Sequence, residues 1–304
     1  MLIPLGKLNG KVILITGTSS GIGVETARAL KATGAHIFGA VRDLPKGQKA
    51  LSDILEPGKV DLLHLDLNSL ASVRKFAAEF LEASGGKLNI LINNAGIMAI
   101  PEGKTEDGFE KQFGTNHLAH FLLFQLLKPA LLSSSTPDFN SRVVAVSSLG
   151  HRYFPPKLEN IMLTGEYDAN HAYAHSKLAN IWFANEIERK YGSQGLHAWS
   201  LNPGGIWTGL QDHIPEVVAV WKQTPGVAEH MKSTEQGAST TVWAAVAKVL
   251  EGKGGRYLDD CQVSPPHPEG GQLLERGYAK WAYEPENEAK LWKMSNEYVG
   301  FKEE

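Results

Sequence analysis

Tyr173 and Lys177, four residues apart in AYAHSK, are the pair with the most pointed chemistry in the chain. On a helix an i,i+4 pair shares one face, so the ammonium can stand beside the phenol. A neighbouring cation favours phenolate, lowering a pKa of about 10 when unperturbed. Such a tyrosine is an acid or base usable near neutral pH. An amphipathic helix with a surface lysine accounts for the pair equally well, so the chemical reading needs other groups that converge on it. Ser148, in the VSS that closes an apolar run, offers a hydroxyl able to hold a carbonyl oxygen.

A second group of residues suits a phosphate. In KVILITGTSSGIG, residues 11–23, an apolar β-branched run ends at Thr16, and Gly17, Gly21 and Gly23 follow at once. The run is too short for a helix and reads as a strand buried on both faces. VETARALKATG then carries apolar residues at helical spacing. Strand, glycine turn and helix together bring a pyrophosphate against free N–H groups at a helix N-terminus. The spacing is G-x-x-x-G-x-G, and no Lys-Ser or Lys-Thr follows the last glycine, so this is not a P-loop.

These groups need elements to hold them. Strand-like runs recur at 36–41, 60–67, 88–92, 142–147 and 196–201, separated by helical patterns at 46–56, 70–83, 106–132 and 171–191. Alternation of this kind predicts an α/β, Rossmann-like doubly wound parallel sheet with helices on both faces, a three-layer α/β/α arrangement. We expect one domain over 1–304, with a segment at 208–235 after the last motif and an irregular C-terminal extension at 252–304. In such a sheet ligands lie outside the carboxyl ends of the strands. The polar clusters fall at those ends: the glycine run, Arg42, Asp66, Asn93 with Gly96, Ser148, and Pro203 with Gly204. Their joint placement on one rim favours a shared cofactor cleft.

At this point the chain resembles the short-chain dehydrogenase/reductase family. The matching pieces are TGTSSGIG (16–23), LDL (65–67), NNAG (93–96), Asn116 in TNHLAHF, VSS (146–148), YAHSK (173–177) and NPGGIWT (202–208). The resemblance implies hydride transfer between a nicotinamide cofactor and a carbonyl/alcohol pair. It places the acid/base on Tyr173, the ribose contact and a lowering of the tyrosine pKa on Lys177, the substrate oxygen on Ser148, and a proton relay anchor on Asn116. It further implies a cofactor lined by Gly17, Ser19, Ser20, Gly21, Ile22 and Gly23. Asp66 and Leu67 would lie near the adenine, Asn93, Ala95 and Gly96 near the ribose, and Pro203, Gly204, Ile206 and Thr208 near the nicotinamide. The long gap from Ser148 to Tyr173, the VRD after the second strand and the GGRYLDD near the C-terminus most resemble the retinol-dehydrogenase-like and WW-domain-oxidoreductase-like branch. The insertion at 149–172 either walls a substrate pocket or covers surface. In the family the segment after Thr208 is a mobile lid. Here it is apolar, with Ile214, Val217, Val218, Val220 and Trp221, which suits a hydrophobic substrate but equally a buried helix.

The cofactor preference is read at the end of the second strand, Ala40-Val41-Arg42. A carboxylate there would bond the ribose 2′-OH of NAD, whereas an arginine accommodates the 2′-phosphate of NADP. Val41 stands where NAD-preferring members of the resembled family carry Asp, so Arg42 favours NADP (NADPH), with NAD the less favoured cofactor.

Composition narrows the remaining possibilities. A net charge of −3 gives no general attraction to nucleic acid or anionic membranes. Cys261 is the single cysteine, so no cysteine-rich metal site is expected, and the pairs His117/His120 and His171/His175 alone do not make one. Polar residues or proline interrupt the apolar segments at 88–100 and 118–132, so no transmembrane segment is expected. Pro4 and Gly6 break the short apolar start, so no signal peptide is expected either, and a cytoplasmic location fits. The expected partner is a hydrophobic small-molecule carbonyl or alcohol; the resemblance implies either a homodimer through the helices carrying Asn116 and Tyr173 or, as in longer-insert members, a monomer. The alternative to an enzyme is a catalytically silent NADP(H)-binding regulatory or scaffold protein.

Overall fold

The computed structural model describes residues 7–272 and 274–303; Pro4 and Gly6, on which the signal-peptide expectation rests, lie outside them. Its centre is β1 (Val12–Thr16), flanked by β2 (His36–Val41) and, on the other side, by β4 (Ile90–Asn93). With β3 (Val60–His64), β5 (Ser141–Val146) and β6 (Leu196–Asn202), the spatial order is 3-2-1-4-5-6, all parallel. The order reverses between β1 and β4, and the crevice outside their carboxyl ends is where such a sheet binds a ligand.

Successive residues of β1 explain the two helix layers. Val12 and Leu14 belong to one apolar cluster, with α3 (Leu70–Ala83), α5 (Ala119–Ser134) and α6 (Ala169–Tyr191). Ile13 and Ile15 point the other way, into a second cluster built by α1 (Gly21–Lys31) and α9 (Thr234–Val246). With side chains alternating across a strand, a run apolar at every position must be covered on both faces. The three-layer α/β/α arrangement follows.

Several boundaries differ from the expectation. α2 (Leu44–Ala50) starts early because Asp43 caps it, accepting from the Lys46 N–H at 2.9 Å, and Pro45 occupies its first turn. The helix expected from 106 starts at α4 (Lys111–Phe113), where Glu110 caps it, and passes through a π-helical turn at Gly114–Leu118 before α5. The C-terminal extension is not irregular. Ahead of it two short strands pair in parallel, β7 (Gly205–Ile206) with β8 (Met231–Lys232), and within it β9 (Arg256–Asp259) joins the sheet beside β6. β10 (Gln262–Val263) closes that edge antiparallel to β9. α10 (Pro285–Val299) packs on α5 and α6. Only Tyr257 and Leu258 of β9 are deeply apolar, a pattern too short to stand out among glycines and prolines.

α10 also settles what Trp182 and Phe183 touch. The Phe183 ring stacks on Trp292 with centroids 6.1 Å apart and meets Phe124 edge-on at 5.4 Å. Trp182 Nε1 donates to the Trp281 carbonyl at 2.9 Å. Both side chains are covered by this chain's own C-terminal segment.

Candidate active site

Tyr173 lies in the first turns of α6, which Asp168 caps by accepting from the His171 N–H at 2.7 Å. Lys177 follows one turn later, its Nζ 5.6 Å from the Tyr173 ring centre and donating to the Val146 carbonyl at 3.1 Å. Burial pulls the lysine down to about 8. Burial also dominates at Tyr173, pushing the phenol up to about 12 against the pull of the Ser148 hydroxyl. Burial thus runs against the lowering expected from Lys177, and the phenol leans toward its neutral form.

The serine doublet divides its work. Ser147 Oγ donates to the Lys177 main-chain carbonyl at 2.7 Å and is buried, so it fastens β5 to α6. Ser148, half-buried, faces Tyr173 and accepts from the Gly150 N–H at 3.1 Å. Asn116 sits in the π-turn, fully buried. Its Oδ1 accepts from Ile97 N–H and its Nδ2 donates to the Ile97 carbonyl, both at 2.9 Å. The same Nδ2 donates to Ser176 Oγ at 2.9 Å, and Ser176 donates to the Tyr173 carbonyl at 2.8 Å. Single π-turns of this kind are frequent at functional sites.

The rim beside this cluster has the shape and free polar groups a dinucleotide needs. Ser20, at the head of α1, makes no side-chain cap and no acidic residue sits in the first turn, so the N–H groups there are open to an anion. Glycine is required at two points in the cradle. A Cβ on Gly23 would lie 2.2 Å from the Gly17 carbonyl oxygen, and one on Gly17, at φ +78°, 2.9 Å from Ala95. Ser19 and Ile22 flank them half-buried, while Thr208 closes over Gly21, its Cγ2 3.2 Å from where a Cβ would be. The hydroxyl of Thr18 and the side chains of Asn93 are buried without protein partners, as is Asn94 Oδ1. Buried polar groups left open in this way fit a bound polar ligand. Gly96 faces both Asn116 Oδ1 and Lys177 Nζ, 3.2 and 3.3 Å from its would-be Cβ.

The outer residues expected to line a cofactor lie along the same side of the sheet. Arg42 is exposed at the end of β2, with Val41 buried behind it, and Asp43 uses its carboxylate on the α2 cap. Asp66 turns its Oδ1 to the Asn68 N–H at 2.9 Å, and Leu67 is buried beside it. Pro203 and Gly204 are braced by Lys232, and Ile206 is buried with its carbonyl accepting from Gln211 Nε2 at 2.9 Å. Arg42, Asp66 with Leu67, and Pro203 with Gly204 follow the carboxyl ends of β2, β3 and β6 in turn.

Two groups were not singled out from the sequence as site residues. Thr16, the last residue of β1, accepts from the Asn94 and Ala95 N–H groups at 3.0 Å each. Gln112 accepts from Ala99 N–H at 2.8 Å and donates to Tyr167 Oη at 3.0 Å, tying the 97–100 loop to the insertion. The histidine pairs serve as hydrogen-bonding and stacking groups: His171 stacks on Phe154 at 4.6 Å, and His175 Nε2 accepts from Lys157 N–H at 3.2 Å. Within 208–235, α7 (Pro215–Gln223) and the short α8 (Val227–His230) contain no buried residue, with Val220 63% and Val217 42% exposed. No helix among the described residues is long and apolar enough to cross a membrane.

Comparison with known proteins places this geometry. Residues 11–219 match the short chain dehydrogenase family. The chain is 53% identical over 300 residues to short-chain dehydrogenase/reductase prx1 of Penicillium roqueforti, covering 98% of this chain and 88% of that one. It is 40% identical over 259 residues to mouse retinol dehydrogenase 12, covering 84% and 79%. A solved Mycobacterium paratuberculosis structure superposes with a TM-score of 0.74 at 32% identity, over 98% of this chain and 96% of that one. The chain belongs to the short-chain dehydrogenase family, in its retinol-dehydrogenase-like branch, whose members are oxidoreductases that bind NAD(P).

Proposed function

We propose that this oxidoreductase interconverts a hydrophobic ketone or aldehyde and its alcohol, using NADP(H), with Tyr173 as acid/base. The observation that carries the reading is the meeting of Tyr173, Ser148, Lys177 and Asn116 at one rim of the sheet, beside a cradle only glycine can line. The dinucleotide, when bound, supplies or accepts the hydride. The chain's residues do the rest. Ser148 holds the substrate oxygen next to Tyr173, which donates its proton as the carbonyl is reduced and takes one back in the reverse direction. A phenol held at about 12 keeps that proton until negative charge develops on the oxygen it faces. Lys177 projects toward Gly96, where the ribose would lie, and Asn116 fixes the Ile97 turn beside it.

The preference for NADP(H) rests on Arg42, free at the end of β2 while Asp43 caps α2. An arginine–phosphate contact is charge-assisted and can be bidentate. The apolar, outward-facing α7 supports a hydrophobic substrate and a lid over 208–235. β7 and β8 pin the ends of that segment, and His213 Nε2 reaches the Ala99 carbonyl at 3.2 Å across the cleft mouth. A homodimer through α5 and α6 is not part of this reading, because α10 covers that face. A panel of hydrophobic ketones, aldehydes and secondary alcohols, assayed with each nicotinamide cofactor, tests the proposal. Turnover of at least one carbonyl with NADPH is expected, and tight cofactor binding with no turnover across the panel would point to the silent binder instead.

A further inference from the structure

We propose that His120 is a positioning residue that locks the cofactor cradle to the turn carrying Asn116, an inference that rests on the oxidoreductase reading of this site. The side chain is 1% exposed and lies in the first turn of α5. Its Nδ1 is 3.0 Å from the Asn116 carbonyl oxygen and its Nε2 2.9 Å from Thr16 Oγ1.

Hydrogen accounting fixes every role in this chain of contacts. The Asn116 carbonyl can only accept, so Nδ1 carries the ring proton. Burial, with Lys177 nearby, depresses the imidazole to about 4, so at neutral pH it has no second proton and Nε2 must accept. Thr16 therefore spends its only hydrogen on His120. Both lone pairs of Thr16 Oγ1 are then left for the N–H groups of Asn94 and Ala95, each 3.0 Å away. Asn94 in turn donates through Nδ2 to the Thr16 carbonyl at 2.9 Å. The result is one continuous path: NNAG turn, Thr16, His120, Asn116, Ser176, and the Tyr173 carbonyl.

The position of the imidazole matters because the two ends do different work. Thr16 and the 93–96 turn line the crevice between β1 and β4, directly under the glycine cradle. Asn116 and Ser176 hold the end of the path beside Tyr173 and Lys177. Packing alone would ask only for a ring of the right size. Here each nitrogen addresses a separate segment, with a fixed donor and a fixed acceptor.

That asymmetry gives a test in which two conservative variants break opposite arms. In His120→Gln the amide oxygen can replace Nε2 toward Thr16, and the donor toward Asn116 is lost. In His120→Asn the amide nitrogen can replace Nδ1 toward Asn116, and the acceptor toward Thr16 is lost. H120Q should keep its NADPH Kd within about threefold of wild type while kcat falls at least roughly tenfold. H120N should do the reverse, with Kd weakened at least roughly tenfold and kcat at saturating cofactor within about threefold. Nitrogen NMR of the wild-type protein needs no variant and should show a proton on Nδ1 and a bare Nε2 from about pH 5 to 8. Equal losses of Kd and kcat in both variants, no change in either, or a proton on Nε2 would overturn the proposal. If the wild-type protein turns over no carbonyl, the oxidoreductase reading fails on its own, while the Kd and NMR measurements still decide the role of His120.

Discussion

The Lys177 Nζ sits 5.6 Å from the centre of the Tyr173 ring and is held there by the Val146 carbonyl at the end of β5. The strand end thus aims the cation, and the helix aims the phenol. Lys177 is buried and Tyr173 half-buried, beside a rim of open N–H groups. Burial takes the amine down to about 8 and the phenol up to about 12, so both groups lean toward their neutral forms.

Gly150 packs closely against the Tyr173 ring. A Cβ there would lie 3.2 Å from Tyr173 Cε1 and 3.4 Å from Ser148 Oγ. Gly150→Ala should push the ring off line and lower kcat by about tenfold, equivalent to ~1.4 kcal/mol. The melting temperature should hardly change. Steady-state kinetics alongside thermal unfolding checks this, and an unaltered kcat would show that the ring has room to spare.

Arg42 should set the cofactor preference. We expect kcat/KM at least about tenfold higher with NADPH than with NADH, a gap of ~1.4 kcal/mol. Arg42→Ala should erase most of that gap by raising the KM for NADPH, with little effect on NADH. Equal or better use of NADH by the wild-type enzyme would remove the NADP assignment and leave hydride transfer standing.

Buried histidines should make the fold acid-labile. Burial depresses His117 to about 3 and His120 and His151 to about 4. Between about pH 4 and 6.5 these rings are neutral when folded and protonated when unfolded, so the unfolded chain binds more protons. Stability then rises with pH across that window and falls on acidification, by about 1.4 kcal/mol per pH unit for each such ring. Urea unfolding at a series of pH values measures the slope. A flat profile from neutrality down to about pH 4.5 would contradict the buried, neutral assignment.

Trp292 should be the main anchor of α10. Its ring meets Phe121 edge-on at 4.9 Å and Phe124 at 6.0 Å, and stacks on Phe183. Trp292→Ala removes that contact set and should cost ~3–5 kcal/mol. A loss below ~1 kcal/mol in chemical unfolding would mean that α10 is held mainly by its ion pairs and hydrogen bonds.

Much of this was legible in the residues. Strand position follows from apolar runs such as 12–16, and the cradle from three glycines at fixed spacing, because backbone sterics leave few alternatives there. The Tyr173 and Lys177 pair was legible because helix geometry alone puts i and i+4 on one face. What the spacing did not carry was the balance of burial against charge at Tyr173, which depends on how deeply α6 is covered. His120 was also hidden. Its spacing from His117 carried no metal site and no other role, and only the approach of β1 to α5 reveals that its nitrogens serve Thr16 and Asn116. β9 and α10 escaped notice because their burial is granted by distant partners, β6 for one and the aromatic face of α5 and α6 for the other.

Turnover by Tyr173→Phe tests the central claim most directly. The variant keeps the ring and its packing and lacks only the proton that is donated to the substrate oxygen. With a carbonyl that the wild-type enzyme reduces, kcat should fall by ~10²–10⁴-fold. The NADPH Kd should stay within about threefold, since the proposed ribose contact is that of Lys177. A purified, folded Y173F protein that retained more than about half of the wild-type kcat would contradict the account, because a group other than Tyr173 would then be moving the proton.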